Sequence, residues 1–148
     1  MQVFVDRFNG YRNALRDAGI EYREDLVFWK DYCESSGYEA AQNFLKLPER
    51  PTAICAANDL LIIGALRALE KASLRVPRDI SLFGMDNIDI TARLKPGLCS
   101  VDIKQYDIGR KAAAMLLERI NGSHQTASQK IIFEPELVIR GSCSAIEN

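Results

Sequence analysis

The sequence has little that would support metal, redox or membrane chemistry. Its 148 residues hold one histidine, His124, and four scattered cysteines, Cys33, Cys55, Cys99 and Cys143, with no C-x-x-C pair. A zinc site needs clustered ligands, so no metal centre is expected. A disulfide framework does not suit a chain that is 47% hydrophobic, and free thiols in a reducing cytoplasm are expected instead. No apolar run approaches the ~18 residues of a membrane span, and the opening MQVFVDRFNG is not a signal peptide. Charge of one sign is also missing. Lys and Arg number 19 against 20 Asp and Glu, a net charge of −1, so no basic surface announces nucleic acid. Catalytic signatures are absent too: no G-x-S-x-G, no phosphate-cradling G-x-x-x-x-G-K-[ST], no paired Cys and His. An aspartate nucleophile at Asp86 would lack the metal-binding carboxylates such chemistry needs. Neither an enzyme nor a cofactor is expected.

What is present is alternation. Phe4, Phe8, Tyr11 and Leu15 share a helical stripe that stops at Gly19. DLVFW (25–29) reads as a short buried strand, and Ser36 with Glu39 has the spacing of a capping box before a helix that runs to Pro48. PTAICAA (51–57) is a strand, NDLLIIGALRALEKA a helix and DISLFG a strand. A helical turn near Ile90–Leu94 leads to LCSV (98–101). A long helix then carries Ile108, Ala112, Met115, Leu116 and Ile120 inward until Asn121-Gly122. KIIFEP and ELVIR close the chain as two strands, with the polar GSHQTASQ loop (122–129) as the one linker candidate. Strands separated by helices and short loops imply an α/β fold, a mostly parallel doubly wound sheet flanked by helices.

Two features go beyond fold. In the helix after Asn58, Leu61, Gly64, Ala65, Ala68 and Ala72 form the stripe expected to face the sheet, while Ile62, Ile63 and Leu66 form a second apolar face. A protein partner and burial by another part of the chain explain that face about equally well. The second feature lies where parallel strands end, which is where open α/β sheets bind ligands. Asp31-Tyr32, Asn58-Asp59 and Asp86-Asn87 each follow an expected strand. Carboxylate, amide and aromatic face together suit a small polyhydroxylated molecule, and Gly84 would let it approach the backbone. Asp59 is read as a helix N-cap. For Asn58 and Asp86, capping and ligand binding stand level, and Tyr32 alone is a loop aromatic.

The stretch SSGYEAAQNFLKLPERPTAICAANDLLIIGALRALEKASLRVPRDISLFGMDN resembles the lactose-repressor/galactose-repressor (LacI/GalR) family of bacterial transcription regulators. SGYEAA, AAND, GALRAL, LRVPRDIS and FGMDN carry the likeness, followed in order by IGRKAAAMLLERI and PELVIR. DRFNGYRNALRDAGI is similar to the family's R-x-x-G-[FY] helix, and the likeness covers essentially the whole chain.

That resemblance implies the second half of a two-lobed, periplasmic-binding-protein-like effector domain, without the DNA-reading helix-turn-helix or most of the first lobe. Residues 1–103 and 135–148 would form the second lobe, lacking its opening strand, and 104–134 would belong to the first. The resemblance assigns Arg7, Tyr32, Asn58 and Asp86 to the effector, a sugar or related metabolite, which favours ligand binding over capping at Asn58 and Asp86. It places a homodimer contact on Ile62, Ile63, Leu66 and Leu94. DNA would be met only through the missing domain, in the cytoplasm and with no membrane. Departures are Asn87 and Met85 in the G-[FY]-D-D motif, Ile103 at a hinge position and Val3 where many members carry Ser or Thr. These leave room for a nucleobase effector. The alternative is a lobe of a secreted sugar-binding protein that feeds a transporter. With a sheet edge and apolar surface uncovered, the chain is expected to self-associate.

Overall fold

The computed structural model describes residues 2–122 and 129–145. Four strands, β1 (Ala53–Cys55), β2 (Ser81–Met85), β3 (Cys99–Asp102) and β4 (Glu136–Val138), form one sheet in the order β1-β2-β3-β4. β1 pairs parallel with β2 through Ile54 opposite Leu82, and β2 pairs parallel with β3 through Gly84 opposite Ser100. β4 runs antiparallel to β3. Five helices accompany them: α1 (Gln2–Asp17), α2 (Glu34–Phe44), α3 (Asp59–Lys71), α4 (Asp89–Arg93) and α5 (Gln105–Ile120). Because α3 crosses from β1 to β2 and α4 from β2 to β3, the loops that leave both β1 and β2 open at the same end of the sheet.

The helix stops follow their sequence. Gly19 adopts φ +68°, Ile20 N–H bonds the Leu15 carbonyl at 2.8 Å and Gly19 N–H bonds that of Arg16 at 3.1 Å, the double bond of a Schellman cap. Gly122, also at φ +68°, follows α5 with its N–H on the Arg119 carbonyl at 3.2 Å. The start of α2 differs from expectation. Its N-cap is Cys33, and Ser36 lies buried inside the helix with its hydroxyl against the Cys33 sulfur, so there is no capping box.

The core is a single cluster of Ala41, Phe44, Ile54, Ile62, Ala65, Leu66, Ala68, Leu69, Ile80, Leu82 and Leu98. α3 is clamped between α2 and β2, which settles its two apolar faces. A Cβ built on Gly64 would meet the Glu34 carbonyl oxygen of α2 at 1.9 Å, and one on Gly37 would meet the Leu61 carbonyl oxygen at 1.9 Å. The glycine stripe therefore faces α2, not the sheet, and Ala72 at its end is exposed. Ile62 instead faces β2, where it reaches Gly84. Ile62 and Leu66 are buried inside this chain and present nothing to a second subunit, a correction to their reading as dimer residues. Ile63 and Leu94 remain half-buried at the margin of the core.

Two expected strands do not form. DLVFW becomes a 3-10 turn at Glu24–Leu26 followed by extended chain with no ladder partner, where Phe28 packs on the core and Trp29 stays exposed. KIIFEP likewise runs outside the sheet, with Ile132 exposed. An apolar run of five or six residues states what is hydrophobic but not whether a neighbouring strand exists. α5 forms over the expected span and buries none of its residues: Ile108, Leu116 and Ile120 face solvent instead of turning inward. His124 and most of the 122–129 loop lie outside the described residues.

Candidate ligand site at the strand ends

β1 ends into Ala57-Asn58 and β2 into Asp86-Asn87, so the parallel pairing brings the two polar groups to one rim. Asn58 is the N-cap of α3. Its Oδ1 accepts from Leu61 N–H at 2.9 Å, and its Nδ2 donates to the Tyr32 carbonyl at 3.3 Å. The capping role is thus real, and one lone pair of Oδ1 remains to meet a ligand.

Asp86 is different. The N-cap of α4 is Ile88, with no side-chain bond, so Asp86 does not act as a cap. It sits at φ +108° and is followed by Asn87 at φ +52°, two successive residues in backbone regions that L side chains rarely adopt. Such conformations cost about 1–3 kcal/mol each and persist only where surrounding bonds hold them. The Asp86 N–H bonds the Val101 carbonyl at 2.9 Å, and Gln105 Nε2 donates to the Asp86 carbonyl at 3.1 Å.

Arg7 joins the rim from above. From α1 its Nη1 donates to the Ala57 carbonyl at 2.5 Å, beside Asn58, and its Nη2 lies 3.6 Å from Asp86 Oδ1. The two side chains are only 20% and 24% exposed. Desolvation pushes the Asp86 carboxyl above the usual carboxylate range; the Arg7 guanidinium opposes that shift and the neighbouring Asp59 reinforces it. The Tyr32 ring lies parallel to Phe4, centroids 3.8 Å apart at 15°, and the Arg7 guanidinium sits over the Phe4 ring at 5.6 Å. All four expected ligand residues therefore meet in one group. A carboxylate and a guanidinium 3.6 Å apart can share a pair of adjacent hydroxyls, accepting from one and donating to the other, while a stacked ring wall takes a flat C–H face.

Two neighbours were read differently from the sequence. Asp59 is the first residue of α3, not its cap. Fully buried, it turns back to accept from Ser100 Oγ at 2.7 Å and from Ile88 N–H at 2.9 Å. Gly84 is small for Asp59's sake, since a Cβ there would lie 2.3 Å from Asp59 Oδ1 and 2.9 Å from Ile62 Cγ2. It does not open the backbone to a ligand. The sequence reading missed Phe4, although its position one turn before Arg7 on the same helix was the available signal. It also missed Ser100, within β3, and Gln105, the first residue of α5. A separate shallow depression of about 610 Å³, lined by Asn9, Arg12, Asn13, Arg16, Ile20 and Tyr22, shares no residue with this group. Among the described residues no cluster of three or more His, Cys, Asp or Glu could hold a metal ion.

Residues 2–143 match the family described as periplasmic binding protein-like domain. The chain belongs to that family. Within it, the relatives are LacI-family regulators. The chain is 36% identical over 140 residues to the HTH-type transcriptional repressor CytR of Escherichia coli K12, covering 95% of this chain and 41% of that protein. It superposes on a LacI transcriptional regulator from Bacillus cereus subsp. cytotoxis NVH 391-98 with a TM-score of 0.89 at 30% identity, covering 97% of this chain and 51% of the other. A LacI-family regulator from Enterococcus faecium, solved with bound ribose, superposes with a TM-score of 0.86 at 27% identity, covering 95% and 52%. The mostly parallel sheet and the AAND, LRVPRDIS and FGMDN motifs accord with this periplasmic binding protein-like assignment. The chain spans about two fifths of the curated repressor and about half of each solved regulator.

Proposed function

We propose that the chain is the effector-sensing part of a bacterial transcription regulator, which takes a small sugar-like metabolite at the ends of β1 and β2. In this reading Asp86 accepts ligand hydroxyls and Arg7 donates to them. Asn58 adds its free lone pair, and Tyr32 offers a ring face. The observation that carries it is Arg7, which reaches both strand ends at once and ties Asn58's loop to Asp86. Ribose bound to the Enterococcus regulator supports the sugar class. Residues 104–134 belong with a first lobe that closes over the ligand, and the relative orientation of the lobes governs operator binding by a DNA-reading domain. Subunits meet through the margin bearing Ile63 and Leu94, in the cytoplasm. Among the described residues no helix is long and apolar enough to cross a membrane.

Calorimetry of the full-length protein with ribose and cellobiose tests the site. Asp86→Ala is expected to weaken binding at least about tenfold, since a lost charged hydrogen bond is worth roughly 1.5–3 kcal/mol. Undiminished affinity in that variant would remove Asp86, and with it the proposed site.

A further inference from the structure

The turn that presents Asp86 is held from outside the strand-end rim. Asn87 N–H bonds Ser100 Oγ at 3.0 Å, and Ile88 N–H bonds Asp59 Oδ2, so the backbone on the far side of Asp86 is tied down by buried groups. One tie is made by a side chain of the turn itself. Asn87 Oδ1 accepts from Arg140 Nη2 at 2.6 Å, across 53 residues of sequence. Arg140 is not free to follow Asn87. Its Nη1 donates to the Leu98 carbonyl at 2.7 Å and to Thr91 Oγ1 at 3.2 Å, and Thr91 is fully buried. Its backbone N–H is engaged with the buried Cys99 sulfur at 3.1 Å. The guanidinium is thus a planar fork with both prongs occupied, fixed on the core and pointing one of them at the turn.

We infer that Asn87 and Arg140 are positioning residues for the effector. The anchored guanidinium grips Asn87, keeps the Asp86–Asn87 pair in its left-handed backbone, and so sets the direction in which the Asp86 carboxylate meets Arg7 and the ligand. The inference rests on the reading of Asp86 as an effector group. It gives a role to Asn87, which departs from the family's usual second aspartate: here the position serves as a strut whose amide oxygen accepts from Arg140.

Asn87→Gly is the decisive variant, because glycine adopts φ +52° without strain and only the strut is lost. In the full-length protein, amide exchange at Asp86 and Ile88 is expected to accelerate about tenfold and the Asp86 carboxyl to shift its titration, with the melting temperature moving by no more than a few degrees. Affinity for ribose or cellobiose should fall several-fold. Arg140→Lys keeps the charge and loses the fork, and the double variant should be no worse than the weaker single variant, since both cut one link. Exchange, titration and affinity in Asn87→Gly that superpose on the parent protein would overturn the inference, as would effects of the two substitutions that simply add. If the parent protein binds neither sugar, the effector reading fails by itself, and exchange together with the Asp86 titration still decides whether the strut sets the carboxylate.

Discussion

The block formed by α2, α3 and the three parallel strands contrasts with the two long helices α1 and α5. All core members but Ile80 and Leu98, which directly precede β2 and β3, belong to the first group. α1 and α5 have sixteen residues each and bury none of them. Both have well-formed helical patterns, so the difference is not one of propensity. α3 has cover on two sides, and α5 has an apolar stripe with nothing described against it. Amphipathicity records that a face is meant to be covered; it does not say by what, and stability resides only where the cover is present.

Three experiments would sharpen or break this contrast. The largest effect should come from glycines. Gly64→Val would drive a side chain into the Glu34 backbone and should cost about 3 kcal/mol or more, or prevent folding, whereas Gly10→Ala on α1 and Gly109→Ala on α5, with nothing within 4 Å, should stabilise by up to about 1 kcal/mol. Urea denaturation reads both. Next, Leu69→Ala, in the heart of the core, should cost about 2–5 kcal/mol, while Leu116→Ala, which is 60% exposed, should stay within about 0.5 kcal/mol. Equal losses would mean that α5 is packed in solution and that the contrast is false.

The smallest effect is electrostatic and separates two strand ends within the block, Asp86 after β2 and Asp102 at the end of β3. Burial raises the Asp86 carboxyl above its unfolded value, so the folded state there holds more protons and this group's contribution to stability grows as pH falls through its folded pKa. Asp102 is lowered, chiefly by the Lys104 backbone N–H, so its contribution is present above the unfolded pKa and is lost as pH falls through the folded one. Side-chain carboxyl NMR should find Asp86 titrating at higher pH than Asp102. The reverse order would mean that Asp86 is solvated and its rim open.

Much of this was legible in the sequence, and the failures share a cause. β2 was readable because Ile80–Gly84 is apolar between a polar turn and Asp86-Asn87, and its partners also announced themselves. DLVFW and KIIFEP were misread because a strand is a relation between segments, and a single segment cannot display it. The faces of α3 were assigned the wrong way round for a related reason: the small-residue stripe looked like a sheet contact, while its glycines answer to another helix. At the site, Arg7, Tyr32, Asn58 and Asp86 came from motifs and meet as a group. Ser100 and Arg140, which hold the turn from 13 and 53 residues away, carry no local signal at all.

The glycine seam between α2 and α3 reaches further than core stability. Tyr32 lies just ahead of α2 and Asn58 opens α3, and the amide of the second bonds the carbonyl of the first. With Gly37 and Gly64 letting one backbone rest on the other, neither helix can slide along its partner, so the gap between the aromatic ring and the amide is ruled by two residues that no ligand would ever touch. A survey of effector preference confined to the mouth of the cleft would miss them.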